Sequence, residues 1–226
     1  MATTRTERIA RLRGLYAVTP EMEDDDVLVA LVESALAGGA RLVQYRAKAS
    51  APSVRVRQAV ALARACRHHG ALFIVNDDAR LAIDSGADGV HLGAQDGDPR
   101  AVRLAWPDAI LGVSCYDRPE LAVAAAEAGA DYVGIGSVFA SRVKPGAVRA
   151  PLERLAQARS ASGLAVAAIG GITAANAPLA VAAGADMVAV ISALFDSPDV
   201  AQAARELSRP FDTEPHSHVR TQPTAL

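Results

Sequence analysis

Short apolar runs alternate with longer Ala- and Leu-rich stretches along almost the whole chain. The runs cover residues 15–19, 42–46, 72–76, 89–93, 110–114, 132–136, 165–169 and 187–192. Near-continuous apolar runs of this length suit parallel strands covered on both faces. Between them, residues 26–38, 53–69, 79–86, 99–106, 119–129, 151–162, 174–184 and 198–208 have helical length and periodicity. Several of these open with Pro near the first turn, and four close on Gly, the usual start and stop chemistry of helices. A Gly-Ala-Asp phrase follows three of them, at Gly86-Ala87-Asp88, Gly129-Ala130-Asp131 and Gly184-Ala185-Asp186, with a variant at Gly38-Gly39-Ala40. Each phrase supplies a left-handed stop and a short turn into the next strand.

Strict alternation of strand and helix implies parallel pairing through crossovers. Eight such units predict a single α/β domain, a closed (β/α)8 TIM barrel, which typically takes about 250 residues. An open doubly wound sheet would need a Gly-rich loop after its first strand, and residues 15–26 contain none. The expected boundaries are a flexible N-terminal segment over 1–13, the barrel over 14–209, and a low-order tail over 210–226.

Composition narrows the partners. With 51% hydrophobic residues the chain is not disordered, and 23 Lys plus Arg against 25 Asp plus Glu leave no basic excess for nucleic acid or an anionic membrane. No apolar stretch reaches the roughly 18 residues of a membrane span. The N-terminus lacks the apolar run of a secretory signal. Cys66 and Cys115 cannot build a disulfide framework, and no Cys/His cluster suggests zinc. The expectation is a soluble, cytoplasmic globular protein, with homo-oligomerisation left open.

Barrels of this type carry their chemistry at the C-terminal ends of the strands. There the second run closes on Gln44-Tyr45-Arg46-Ala47-Lys48, and period-2 alternation puts Gln44, Arg46 and Lys48 on one side. With Lys144 in the loop after the sixth run, these cations match a diphosphate. Asp77 and Asp96 close neighbouring strands and could share one hard cation such as Mg²⁺, or could simply cap the helices that follow. Gly170-Gly171 and Ile191-Ser192 close the seventh and eighth runs, where barrels often bind phosphate through backbone N–H groups. His68 and His69 end a helix, His91 reads as either a packed, hydrogen-bonded core residue or part of the barrel interior, and His216 and His218 fall in the tail.

In order along the chain stand Gln44-Tyr-Arg-Ala-Lys48, Asn76-Asp77, Gly89-Val-His-Leu-Gly-Ala-Gln-Asp96, Gly112-Val-Ser114, Gly134-Ile-Gly-Ser-Val-Phe139, Ile169-Gly-Gly-Ile172 and Ile191-Ser192. Singly these motifs are ordinary; in this order the chain resembles the thiamine-phosphate synthase (thiamine phosphate pyrophosphorylase) family from about residue 15 to 200. The resemblance implies a Mg²⁺-dependent transferase joining a hydroxymethylpyrimidine diphosphate to a thiazole phosphate, with loss of diphosphate. It places the pyrimidine diphosphate on Gln44, Tyr45, Arg46, Ala47, Lys48, Asn76, Ser114 and Lys144, with Arg46, Lys48, Lys144 and Ser114 acting in catalysis. It places Mg²⁺ on Asp77 and Asp96. The thiazole phosphate falls on Ser141, Arg142, Val143, Gly171, Ile191 and Ser192. Where the family carries Thr-x-Thr-Lys this chain has Ser141-Arg142-Val143-Lys144, so Val143 offers no hydroxyl. Ala47 and Ala94 likewise replace the family's Glu and Gln. The alternatives are the related thiazole tautomerase, which carries a His where Tyr116 stands, and a non-catalytic phosphate-binding regulatory barrel.

Overall fold

Eight parallel strands pair in chain order and the last returns to the first, closing a barrel in the computed structural model, which describes residues 4–140 and 148–212. The strands are β1 (Gly14–Val18), β2 (Leu42–Tyr45), β3 (Leu72–Asn76), β4 (Gly89–Leu92), β5 (Ile110–Tyr116), β6 (Tyr132–Gly136), β7 (Ala165–Ile169) and β8 (Met187–Val190). Closure is made by four aligned pairs between β1 and β8, from Gly14–Met187 to Ala17–Val190. The helices are α1 (Arg5–Ile9), α2 (Asp25–Ala37), α3 (Pro52–His68), α4 (Ala79–Ser85), α5 (Pro99–Ala105), α6 (Pro119–Glu127), α7 (Glu153–Ser162), α8 (Ala177–Ala182), α9 (Ser192–Phe195) and α10 (Val200–Ser208). Among the described residues, no helix is long and apolar enough to cross a membrane.

Alternation along each strand separates two cores. Leu15, Val43, Phe73, Val90, Leu111, Val133, Val166 and Val188 face outward into a shell shared with the helices. Tyr16, Leu42, Ile74, Ile110, Tyr132, Ala167 and Met187 face inward and fill the barrel. Alanine dominates the helix faces of the outer shell, including Ala35, Ala59, Ala63, Ala122, Ala158 and Ala180. These small side chains let the helices lie close to the sheet.

The Gly-Ala-Asp phrases form a repeated grip at the face where the strands begin. The N–H groups of Asp88, Asp131 and Asp186 donate to the carbonyls of Phe73, Leu111 and Val166, at 2.8, 2.7 and 2.9 Å. Their carboxylates accept from the N–H of those same three residues, at 2.9, 2.8 and 2.9 Å. Each aspartate therefore holds both backbone groups of one residue on the preceding strand. An arginine neutralises every carboxylate: Arg8 meets Asp88 at 3.5 Å, Arg159 meets Asp186, and Asp131 takes both Arg5 at 2.6 Å and Arg103 at 2.8 Å. The variant phrase before β2 ends in Arg41, which keeps one backbone bond, to the Leu15 carbonyl at 3.0 Å, and has no carboxylate.

Upstream of the barrel, Thr4 and Glu7 form a reciprocal capping box that starts α1. Arg5 ties that helix to Asp131, and Leu12 packs into the inward core, covering the strand-start face. At the same face Trp106, half-buried at the end of α5, accepts from Arg103 through its carbonyl. Residues 213–226, most of the expected tail, lie outside the described residues.

The aspartate side chains differ in burial, so their loss should differ in cost. Asp131→Ala removes the counter-charge of the partly buried Arg103 guanidinium and the side-chain acceptor of the Leu111 N–H, and we expect a loss of about 3 kcal/mol. Asp88→Ala removes a longer, more exposed ion pair and should cost about 1 kcal/mol. Urea unfolding followed by circular dichroism orders the two variants. Equal losses would contradict the dependence on burial.

Candidate active site

The strand ends opposite this grip open onto a cavity of about 640 Å³. Gln44, Arg46, Asn76, Ser114, Gly171, Ile191 and Ser192, all singled out from the sequence, line it together. The Tyr45 side chain does not: its hydroxyl donates to Gln58 on α3 at 2.8 Å and its ring lies in the outer core. Ala47 also packs against that outer core. This placement leaves Tyr45 only its backbone for contacts at the mouth, the ordinary consequence of side-chain alternation. Ser141, Arg142, Val143 and Lys144 lie outside the described residues.

A second cluster sits at the end of β3 and β4, beside the cavity. Two consecutive aspartates divide the work after β3. Asp78 caps α4 by accepting from the Leu81 N–H at 2.9 Å and pairs with Arg55 at 2.8 Å. Asp77 adopts a left-handed backbone, φ 67°, and its carboxylate meets Lys48 Nζ at 2.9 Å. The same division follows β4, where Asp98 caps α5 and Asp96 is left over. Asp96 accepts from the Gly93 N–H at 2.9 Å and lies within hydrogen-bonding reach of Asp77. Neither Asp77 nor Asp96 is the cap of its helix. Burial, together with the hydrogen bond and charge of Asp77, pushes the Asp96 carboxyl above its ordinary range.

Two carboxyls forced together with one lysine make a hard-oxygen site that a divalent cation would neutralise. Mg²⁺ characteristically takes one or two protein carboxylates and fills its octahedron with water and phosphate oxygens. The pair fits that ion, and no group of three or more His, Cys, Asp or Glu competes for a softer metal among the described residues.

Below the mouth, polar side chains cross the barrel interior. The Gln44 amide donates to Tyr16 Oη at 2.8 Å; Tyr16 and Tyr132 hydroxyls meet at 2.7 Å; Tyr132 Oη meets His91 Nδ1 at 3.0 Å; and His91 Nε2 meets Ser114 Oγ at 2.9 Å. Burial holds the His91 pKa down at about 4, so the ring is neutral at physiological pH. Gly112 makes room for this arrangement, because a Cβ there would sit 2.1 Å from Tyr132 Cζ. Tyr16 and Tyr132 escaped the sequence reading because each lies inside an apolar run. The usable signal was the phenol itself, since a buried tyrosine hydroxyl needs a partner.

On the other side, residues after β6 pack onto the end of β7. Val138 and Phe139 donate to the carbonyls of Ile169 and Gly170, at 2.9 and 3.1 Å. Gly171 has φ +65°, and a Cβ would lie 2.2 Å from the Ala140 carbonyl oxygen, so only glycine admits this approach. Ser192 lines the cavity at the start of α9, a short helix that the periodicity did not separate from β8. Tyr116, Asp117 and Arg118 also line it, after a register shift in β5 between Ser114 and Tyr116. The shift, invisible in the apolar pattern, turns Tyr116 toward the mouth, where its hydroxyl accepts from the Ala94 N–H at 3.4 Å.

A closed (β/α)8 barrel with its ionisable and hydrogen-bonding groups gathered at the C-terminal strand ends is the frame of a barrel enzyme. Residues 15–194 match the family model described as thiamine monophosphate synthase, and the chain belongs to that family. It is 58% identical over 199 residues to the thiamine-phosphate synthase of Chromobacterium violaceum, covering 88% of this chain and 96% of that one. It is 51% identical over 209 residues to the thiamine-phosphate synthase of Thioalkalivibrio sulfidiphilus, covering 92% and 99%. Among solved structures, it is similar to the thiamine phosphate pyrophosphorylase from Pyrococcus furiosus, with a TM-score of 0.79 and 34% identity over 90% of this chain and 96% of that one.

The glycine beside Tyr132 gives a direct test of the interior. Gly112→Ala should displace the ring and cost about 2 kcal/mol through overpacking. Thermal melts measure this loss. An unchanged melt would show that the phenol moves freely and that its position is not enforced.

Proposed function

We propose that this chain is a thiamine-phosphate synthase. It couples 4-amino-5-hydroxymethyl-2-methylpyrimidine diphosphate with 4-methyl-5-(2-phosphoethyl)thiazole, giving thiamine phosphate and diphosphate. The observation that carries this reading is the adjacency of two unlike regions: a mainly apolar cavity with amide and hydroxyl groups on its wall, and a cluster of paired carboxylates and cations at its edge. The first suits a pyrimidine ring, and the second suits the diphosphate and its counter-ion.

Gln44, Asn76 and Ser114 hold the pyrimidine, and Arg46 with Lys48 and Lys144 receives the diphosphate. Asp77 and Asp96 hold Mg²⁺. The cation supplies neutralisation of charge on the leaving diphosphate. The bond between the pyrimidine methylene carbon and the diphosphate oxygen breaks, with its electron pair leaving on oxygen. The electron-rich aminopyrimidine stabilises the resulting cation, and the thiazole nitrogen lone pair closes on the methylene carbon. Arg46, Lys48 and Lys144 act by stabilising the departing charge. Ser141, Arg142, Val143, Gly171, Ile191 and Ser192 orient the thiazole phosphate. No protein nucleophile enters: Cys66 and Cys115 are both buried, and burial pushes the Cys115 thiol up to about 12. The carboxylate pair and Tyr116 favour coupling over the related thiazole tautomerase, which generally lacks the former and carries a His at the latter position. The substrates are soluble, and the reaction belongs in the cytoplasm.

Incubation of both substrates with and without Mg²⁺, following diphosphate and thiamine phosphate together, tests the reading. Binding of thiazole phosphate without turnover would overturn it in favour of a regulatory barrel. Asp77→Asn and Asp96→Asn should each lower coupling at fixed Mg²⁺ by roughly a hundredfold, equivalent to about 2.7 kcal/mol, with partial recovery at higher Mg²⁺. Unchanged Mg²⁺ dependence in both variants would remove the metal assignment.

A further inference from the structure

Gln44 and Ser114 stand on different strands, β2 and β5, yet three side chains with no direct role in the proposed reaction connect them. The connection runs through Tyr16 on β1, Tyr132 on β6 and His91 on β4, with every step between 2.7 and 3.0 Å. Tyr16, Tyr132 and His91 border the floor of the cavity but are nearly closed to solvent, at 1%, 0% and 4% exposure, and within the protein their hydrogens find acceptors in one another. A hydroxyl carries one hydrogen and a neutral imidazole carries one on its ring nitrogens. Those counts leave little freedom in how the hydrogens are arranged.

The Gln44 amide nitrogen donates to Tyr16 Oη and also faces Tyr132. The Tyr16 hydrogen then has one acceptor among the described residues, the Tyr132 oxygen, at 2.7 Å. The Tyr132 hydrogen passes in turn to His91 Nδ1. With Nδ1 accepting, the ring hydrogen lies on Nε2 and is donated to Ser114 Oγ. The hydrogen of Ser114 is left for the cavity, and so is the Gln44 amide oxygen, which takes no hydrogen bond among the described residues. Turning the Gln44 amide over would reverse every bond and consume the Ser114 hydrogen on His91. A mixed arrangement would leave a buried phenol hydrogen with no acceptor among the described residues, which burial penalises.

We infer that Gln44, Tyr16, Tyr132, His91 and Ser114 form one polarised hydrogen-bond chain whose direction makes Gln44 an acceptor and Ser114 a donor toward the cavity. Tyr16, Tyr132 and His91 are thus positioning residues that set the donor–acceptor pattern presented to a ligand. The complementary ligand is a flat heteroaromatic edge bearing an amino donor beside a ring-nitrogen acceptor. This deepens the function proposed above, because both ends line the cavity assigned there to the aminopyrimidine. It also couples the two contacts, since neither end can change its role alone.

The test has one arm that needs no ligand. In the full chain labelled with ¹⁵N-histidine at neutral pH, long-range ¹H–¹⁵N spectra should show His91 with a pyridine-type Nδ1 and a pyrrole-type Nε2. The resonances that shift in Ser114→Ala assign it. An Nδ1–H tautomer, a mixture of tautomers or an imidazolium would overturn the direction of the chain. In Tyr132→Phe the two ring nitrogens should move toward the average of both tautomers; unmoved signals would show that Tyr132 does not set the tautomer.

The second arm measures Kd for the pyrimidine diphosphate by calorimetry in Gln44→Ala, Ser114→Ala and the double variant. In otherwise unaltered protein the two losses should depart from multiplying by about fivefold, and in a Tyr132→Phe background they should multiply within about twofold. Losses that multiply in both backgrounds would overturn the coupling. Absence of any pyrimidine diphosphate binding to the unaltered protein would instead refute the proposed function, and the tautomer spectrum would still decide the chain.

Discussion

Closing a ring of strands only four to seven residues long requires every strand to begin at a fixed height. The paired backbone grips of Asp88, Asp131 and Asp186 meet that requirement, since each fixes both polar groups of one residue on the strand before it. A slip of one residue would turn the inward side chains outward. Register set at one face therefore determines what arrives at the other, a few residues later along each strand. Tyr16, His91 and Tyr132 meet across the interior because the staggered register between their strands is fixed. The arginines that neutralise the grips come from α1, α5 and α7, so the same interaction ties helices to the sheet.

At the strand ends, the recurring solution is to place two acidic residues close together and give them different tasks. Asp78 and Asp98 satisfy the orphan N–H groups at helix starts, which frees Asp77 and Asp96 to face each other. That pairing is unfavourable by itself, and it costs least when a cation lies between. Burial in the barrel treats His91 in the opposite way, keeping the ring neutral so that it can accept on one nitrogen and donate on the other. One wall of the mouth thus collects charge while the floor beneath it is uncharged and directional.

Much of this was legible in the order of residues. Strand–helix alternation and the Gly-Ala-Asp phrases carried the barrel, because in a parallel sheet each strand is apolar throughout and each return needs a helix stop. The polar residues that close runs, such as Gln44, Asn76, Ser114 and Asp77, were visible for the same reason. Motif membership points Tyr45 toward the ligand, but alternation sends its ring to α3. Tyr16 and Tyr132 were hidden by their own apolarity, and α9 by its continuity with β8. The position of Tyr116 depends on a register shift that no hydrophobic pattern records.

Trp106, the single tryptophan, ends α5 beside Arg103 at the face of the barrel where the strands begin, and none of the cavity-lining positions is a tryptophan. Its indole packs against the outer shell, so its emission reports the integrity of that shell, at the opposite end of the strands from the cavity. The molecule carries an intrinsic optical gauge of folding that is insulated from its own binding chemistry. Unfolding curves read through this fluorophore compare variants of the mouth on one scale, with or without substrate present.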